Sequence, residues 1–182
     1  MNLIHAKNET IYLLNTLADM NPILIYTFSE KSNPSDWRII DDGVMGGESK
    51  GNFNIDKKGH GVFEGTVSLE NNGGFSSVRY QFDKLKVSAT SKVYLYLKGD
   101  KKEYQFRIKD KKNSYYSYIT TFKTSGEWQE IEIPLKDLYP SFRGSKLPMD
   151  NFSSSSFEEI VFLIGNKKNE SFKLMLDKIE LK

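Results

Sequence analysis

Few side chains in this sequence are of types that break bonds, and their spacing serves that purpose poorly. Gly47-Glu48-Ser49-Lys50-Gly51 matches the G-x-S-x-G pattern of a serine nucleophile. That chemistry needs a strand before the serine, a helix after it, and an aspartate and then a histidine further on. Here a strand-like alternation follows Ser49, and the one downstream histidine, His60, comes too soon. Glu130 and Glu132 place two carboxylates on one strand face, the raw material of acid–base glycoside cleavage. Nothing around them would raise one pKa above the other, so a solvated strand face is the better reading. His5 and His60 are the only histidines, and cysteine is absent. Thiolate nucleophiles, disulfides and cysteine-type zinc sites are thereby excluded. The G-x-G-x-x-G, P-loop and H-E-x-x-H motifs are missing as well. The expectation is a protein that is not an enzyme.

Side chains suited to binding are more plentiful. If Leu95, Phe106 and Ile108 point into a core, Tyr94, Tyr96, Gln105 and Arg107 share the opposite face of neighbouring strands. Tyr116 and Tyr118 extend this face, or Tyr115 and Ser117 do so in the other parity. Aromatic rings beside amide and guanidinium groups suit a sugar or a polar peptide. The structural alternative is an outer sheet face on which tyrosine serves as amphipathic filler. The lysine clusters at 98–102 and 109–112 read as solvated turns. With 26 Lys+Arg against 24 Asp+Glu, the whole chain has no strong field for nucleic acid.

The elements that must carry these residues are mostly strands. The composition, with 12 Phe and 10 Tyr in 182 residues, favours strand over helix. Asn8-Glu9-Thr10 caps one short helix, with Ile11, Leu14, Leu17 and Ala18 on one face and Asn21-Pro22 at its end. Residues 1–22 are therefore expected to form a helical extension, and 23–182 a single domain. Residues 23–28 read as a first strand. Period-2 alternation then recurs at 61–69, 76–82, 93–97, 104–108 and 172–176, and 115–123 and 127–135 read as two further strands. Gly99-Asp100-Lys101-Lys102 and Asp110-Lys111-Lys112-Asn113 read as hairpin turns. Residues 160–164 are apolar on both parities, which calls for a strand covered on both faces. Residues 136–157 form the longest irregular segment. Regular strand spacing points to an all-β sandwich or barrel. No apolar run approaches the ~20 residues of a membrane helix. Lys7 and Glu9 interrupt any signal-peptide core, so the default location is cytoplasmic.

The most unusual stretch is Asp41-Asp42-Gly43-Val44-Met45-Gly46-Gly47, with three glycines in five residues. A second glycine-rich turn, Asn71-Asn72-Gly73-Gly74, pairs with it. The glycines are expected to allow positive φ or close chain approach. Val44 and Met45 would anchor the turn in the core, Asp42 would satisfy local N–H groups, and Arg79 would pair with Asp42.

Residues 37–51, WRIIDDGVMGGESKG, resemble the signature of the complex I intermediate-associated protein 30 family. Residues 65–79, GTVSLENNGGFSSVR, resemble its next motif. Glu127-Trp128, Ile133-Pro134-Leu135 and Phe142-Arg143-Gly144 follow in the family's order, and the resemblance spans 23–182. It implies a galactose-binding-like jelly-roll sandwich. The family-motif positions are Trp37, Asp42, Gly43, Met45, Gly46, Gly47, Asn71, Gly73, Gly74, Phe75, Arg79, Trp128 and Arg143. It further implies a non-catalytic, protein-binding assembly or stability factor for a respiratory or other membrane complex. A carbohydrate-binding module using the Tyr/Arg face is the alternative. No cofactor is expected beyond a structural calcium ion, for which Asp42, Asn72 or Asp177 would supply oxygens.

Overall fold

The structure, a computed structural model, describes residues 22–182. The expected N-terminal helix lies outside the described residues, as do the side chains of Val44 and Met45. Thirteen strands follow in chain order: β1 (Ile23–Thr27), β2 (Trp37–Asp41), β3 (Lys50–Ile55), β4 (Gly61–Val67), β5 (Ser76–Lys86), β6 (Lys92–Lys98) and β7 (Glu103–Lys109). β8 (Ser117–Lys123), β9 (Trp128–Pro134), β10 (Tyr139–Phe142), β11 (Ser145–Lys146), β12 (Ser156–Ile164) and β13 (Glu170–Leu181) complete the set. They form two sheets. One runs β3-β4-β13-β6-β9, with β1 added on β13; the other runs β11-β10-β8-β7-β12-β5-β2.

Alternation decides which side chains meet between the sheets. Val93, Leu95 and Leu97 of β6 face Phe106 and Ile108 of β7 and Ile160 and Phe162 of β12 across one core. Trp37 of β2 stacks on Phe53 of β3 at 5.3 Å, so an aromatic pair spans the two sheets. Each fully buried Phe or Leu contributes about 1.5–3 kcal/mol by leaving water. The apolar run of β12 is buried on both faces as expected. Ile160, Phe162 and Ile164 enter the core, while Val161 and Leu163 face outward beneath a surface depression.

Two expectations need correction. The segment 136–157 is not wholly irregular, because it supplies β10 and β11 at the edge of the seven-stranded sheet. The turn Gly99–Lys102 is no hairpin. It carries the chain from β6 in one sheet to β7 in the other. A turn of the same residue types serves either purpose, since only the strands' later partners decide between them.

The two glycine-rich turns meet as expected, on a single carboxylate. Asp42 is fully buried. It accepts N–H bonds from Ser49 (3.0 Å), Gly74 (2.6 Å) and Phe75 (3.2 Å), and an O–H bond from Ser49. A Cβ on Gly47 would stand 2.3 Å from Asp42 Oδ1, and one on Gly73 would stand 2.7 Å from Oδ2. Those two glycines are required by the closeness of their backbone to the carboxylate. Gly46 takes φ 89°, whereas Gly43 has neither positive φ nor a close neighbour. Arg79 makes no ion pair with Asp42; its partner is Glu159, at 3.7 Å. Asp42 already has four donors from the adjoining loops, and Arg79 points instead to the outer face of β5.

Candidate ligand-binding site

The outer face of the seven-stranded sheet holds a depression of about 660 Å³. Six strands, from β10 across to β2, contribute to its floor. The register sets the floor in rows. Arg79, Val161, Arg107 and Ile119 stand side by side on β5, β12, β7 and β8. Ser77, Leu163 and Gln105 form the next row, and Gln81, Glu159 and Lys109 the row on the other side. The loop holding Gly73, Gly74 and Phe75 makes one wall, which places the Asp42 hub directly behind the site. Phe142, Arg143 and Gly144 make another.

The floor chemistry is polar and cationic. Arg107 donates through Nε to Gln105 Oε1 at 2.9 Å, which fixes its guanidinium plane. Burial, aided by the nearby Arg79 charge, pushes the Arg107 pKa down to about 10, so it remains a cation at neutral pH. Lys109 is also lowered, by burial first, with Glu159 opposing and Arg79 reinforcing the shift. Its Nζ donates to the Ser114 carbonyl at 2.7 Å. Glu159 is fully buried. It accepts from Gln81 at 2.5 Å, and its Oε1 has no hydrogen-bond partner. Arg79 Nε is likewise unpartnered. At one end the rings are apolar and open: Tyr115 is 65% exposed and packs edge-on to Phe142 at 5.4 Å. Arg143 lies 5.2 Å over the Phe142 ring.

The expected binding face is split by this fold. Gln105 and Arg107 lie in the depression, but Tyr94 and Tyr96 occupy the outer face of the opposite sheet. There Tyr94 donates to Glu132 (2.9 Å) under the Lys182 ammonium. Tyr96 stacks on Trp128 at 5.3 Å, and His60 covers Trp128 at 4.7 Å. These rings are engaged with one another. Tyr118 pairs with Ile108 and faces the core, with Tyr116 packed against it. The other parity, Tyr115 and Ser117, is the one that lines the site. Glu159 and Lys109 were missed. A glutamate directly before a doubly buried run was the available signal, because a carboxylate there needs a cation opposite.

Of the family-motif residues, Gly73, Gly74, Phe75, Arg79 and Arg143 line the depression. Asp42 and Gly47 sit behind it. Trp37 is buried in the core, Trp128 lies on the far sheet, and Asn71, at φ 55°, donates to Glu48 at 3.4 Å. Ser49 is buried with its hydroxyl on Asp42 and accepts the Ser68 N–H, so it is a structural group. Glu132 is paired with Lys92 at 2.6 Å. Among the described residues, no three His, Cys, Asp or Glu side chains cluster as metal ligands. Asp42 is occupied by donors, and Asp177 approaches His60 at 3.9 Å.

The architecture recurs in carbohydrate-binding modules. The family 11 module of the cellulosomal cellulase Lic26A-Cel5E of Clostridium thermocellum is similar with a TM-score of 0.65 at 18% identity, covering 88% of this chain and 94% of that one. A Clostridium thermocellum family 11 module in complex with a β-1,3-1,4-mixed-linked tetrasaccharide gives 0.64 at 17%, over 88% and 96%. A family 4 module gives 0.51 at 12%, over 90% and 94%. At such identities the likeness is one of fold, that of a two-sheet jelly-roll β-sandwich. Over residues 26–176 the sequence matches the family described as complex I intermediate-associated protein 30. The chain belongs to that family. Among the described residues, no helix is long and apolar enough to cross a membrane.

Proposed function

We propose that the protein is a non-catalytic binding module that holds a segment of a partner protein in the depression on its seven-stranded sheet. In this role it assists assembly or stability of a membrane complex, of which a respiratory complex is the one its family's description suggests. The observation that carries this reading is the lining of the depression. Open rings, apolar strand residues and oriented cations share one surface, as a polypeptide with mixed side chains requires. Among the described residues Glu159 is the one carboxylate of that lining, whereas glycoside cleavage uses two.

A glycan is the second reading, favoured by the open Tyr115 and Phe142 rings at one end. The test combines affinity capture with native electrophoresis of the protein and its Arg107→Ala/Tyr115→Ala variant. Co-migration with defined complex subunits, lost in the variant, is expected. Retention of the partner by the variant would rule out the depression as the site. Binding of the mixed-linked tetrasaccharide, with no protein partner, would establish the glycan reading instead.

A further inference from the structure

The charge of the whole chain conceals a strong local asymmetry. Lys+Arg exceed Asp+Glu by only two. Yet the depression is lined by Arg79, Arg107, Lys109, Arg143 and Lys167 against the single carboxylate of Glu159. A second cavity of about 450 Å³ adjoins it, sharing Gln105, Gly165 and Lys167. This cavity adds Lys101, Lys102 and Lys168 against Glu103. Among the described residues, eight cations therefore face two carboxylates along one continuous surface. Lys102 is answered by Asp100 at 2.7 Å, Lys168 by Glu170 at 3.5 Å, and Arg79 by Glu159. Among the described residues, Arg107, Lys109, Arg143, Lys167 and Lys101 have no ion pair. Arg107 and Lys109 are half-buried, while Arg143, Lys167 and Lys101 are exposed; together they make a positive field along this surface that a ligand of opposite charge would answer.

We infer that the two cavities form one binding track for an acidic, extended polypeptide segment that also carries apolar side chains. This deepens the reading above and rests on it. Both halves of the chemistry are present. The cations call for carboxylates, and exposed Leu69, Tyr115 and Phe142 call for apolar cover at the rim. The six strands under the depression, at ~4.8 Å spacing, span about 25 Å, which an extended peptide crosses in about eight residues before it reaches the second cavity. An acidic glycan would answer the cations and leave the apolar rim bare.

An array of ~10-residue peptides, graded in acidic and apolar content and long enough to cross the depression, tests this against the intact protein. Oligogalacturonate and the mixed-linked tetrasaccharide serve as comparison probes. The strongest signal is expected from peptides combining Asp or Glu with Leu or Phe, and it should fall as salt is raised. Lys101→Glu/Lys167→Glu, two exposed substitutions outside the floor, should weaken the best peptide about tenfold. Binding that ignores acidic content, an oligosaccharide preferred over every peptide, or no peptide signal overturns the inference. So does unchanged affinity in the double charge reversal. If the preferred probe, whatever its class, loses affinity with Arg107→Ala/Tyr115→Ala, the depression survives as the site even when the acidic segment does not. If that variant binds undiminished, the depression itself is wrong. Melting of each variant alongside the wild type separates lost binding from lost fold.

Discussion

Replacing Asp42 by Asn changes one atom and tests the hub that joins the two glycine-rich turns. In the native protein one carboxylate oxygen accepts the Ser49 N–H, and the other faces Gly74, Phe75 and the Ser49 hydroxyl. An amide can turn its oxygen toward only one of these sides. At least one buried N–H is then left facing an NH₂ group, and the remaining bonds lose their ionic character. A hydrogen bond to a charged acceptor is worth about 1.5–3 kcal/mol, so the substitution should cost about 2–4 kcal/mol. For a domain of this size that is a fall in Tm of about 5–15 °C. Hydrogen exchange at Gly74 and Phe75 should accelerate with it.

The effect also carries a pH signature. Burial raises the Asp42 pKa, but the Ser49 hydroxyl and the three N–H groups outweigh it and hold the carboxyl below its ordinary value. A pKa lowered by folding gives stability that is present above the unfolded value of ~3.9 and lost as pH falls through the folded one. The gap between the wild type and Asp42→Asn should therefore be full at neutral pH and close on acidification below about pH 4. Denaturant midpoints across that range measure it. A gap that stays constant with pH, or a Tm change under about 1 °C, would refute the account of Asp42 as a charged clamp.

Three further outcomes follow from the same geometry. Gly47→Ala and Gly73→Ala should each lower Tm by several degrees, because the added Cβ meets Asp42; Gly43→Ala, with nothing within 4 Å, should leave Tm within about 1 °C, all by calorimetry. Arg107→Met should hold or raise stability, since it removes a half-buried cation that has no ion pair, while abolishing ligand binding; a loss above about 2 kcal/mol would argue that the guanidinium is structural. Tyr96→Ala should cost about 0.5–1.5 kcal/mol through its lost stacking on Trp128 and leave ligand binding unchanged, because it lies on the far sheet.

Much of the fold is local and could be read locally. Alternation marked β4, β5, β6, β7 and β13, and the doubly apolar run marked β12 as central. Sheet membership could not be read that way. Gly99–Lys102 has the composition of a hairpin turn, and only the long-range pairing of β6 with β13 and of β7 with β12 makes it a crossover. That one ambiguity placed Tyr94 and Tyr96 beside Gln105 and Arg107, when a whole sandwich lies between them. The parity of β8 failed for another reason. Ile119 and Phe122 are apolar on opposite parities, and both are buried, so neither marks the core face. Arg79 was expected on Asp42 because the two glycine-rich turns were expected to meet, whereas its partner is 80 residues further along the chain. Charge pairing across strands depends on register, which no local pattern contains.

The position of β13 has a consequence for how such a chain is made. Glu170–Leu181 lies between β4 and β6 and also carries β1. A ribosome delivers β1, β4 and β6 well before the strand that joins all three. Until then their edges are open and their apolar faces uncovered, a state that invites mispairing. The six-stranded sheet can therefore close only after β13 has been made, and a nascent chain halted before residue 170 should be a client for chaperones rather than a half-built module.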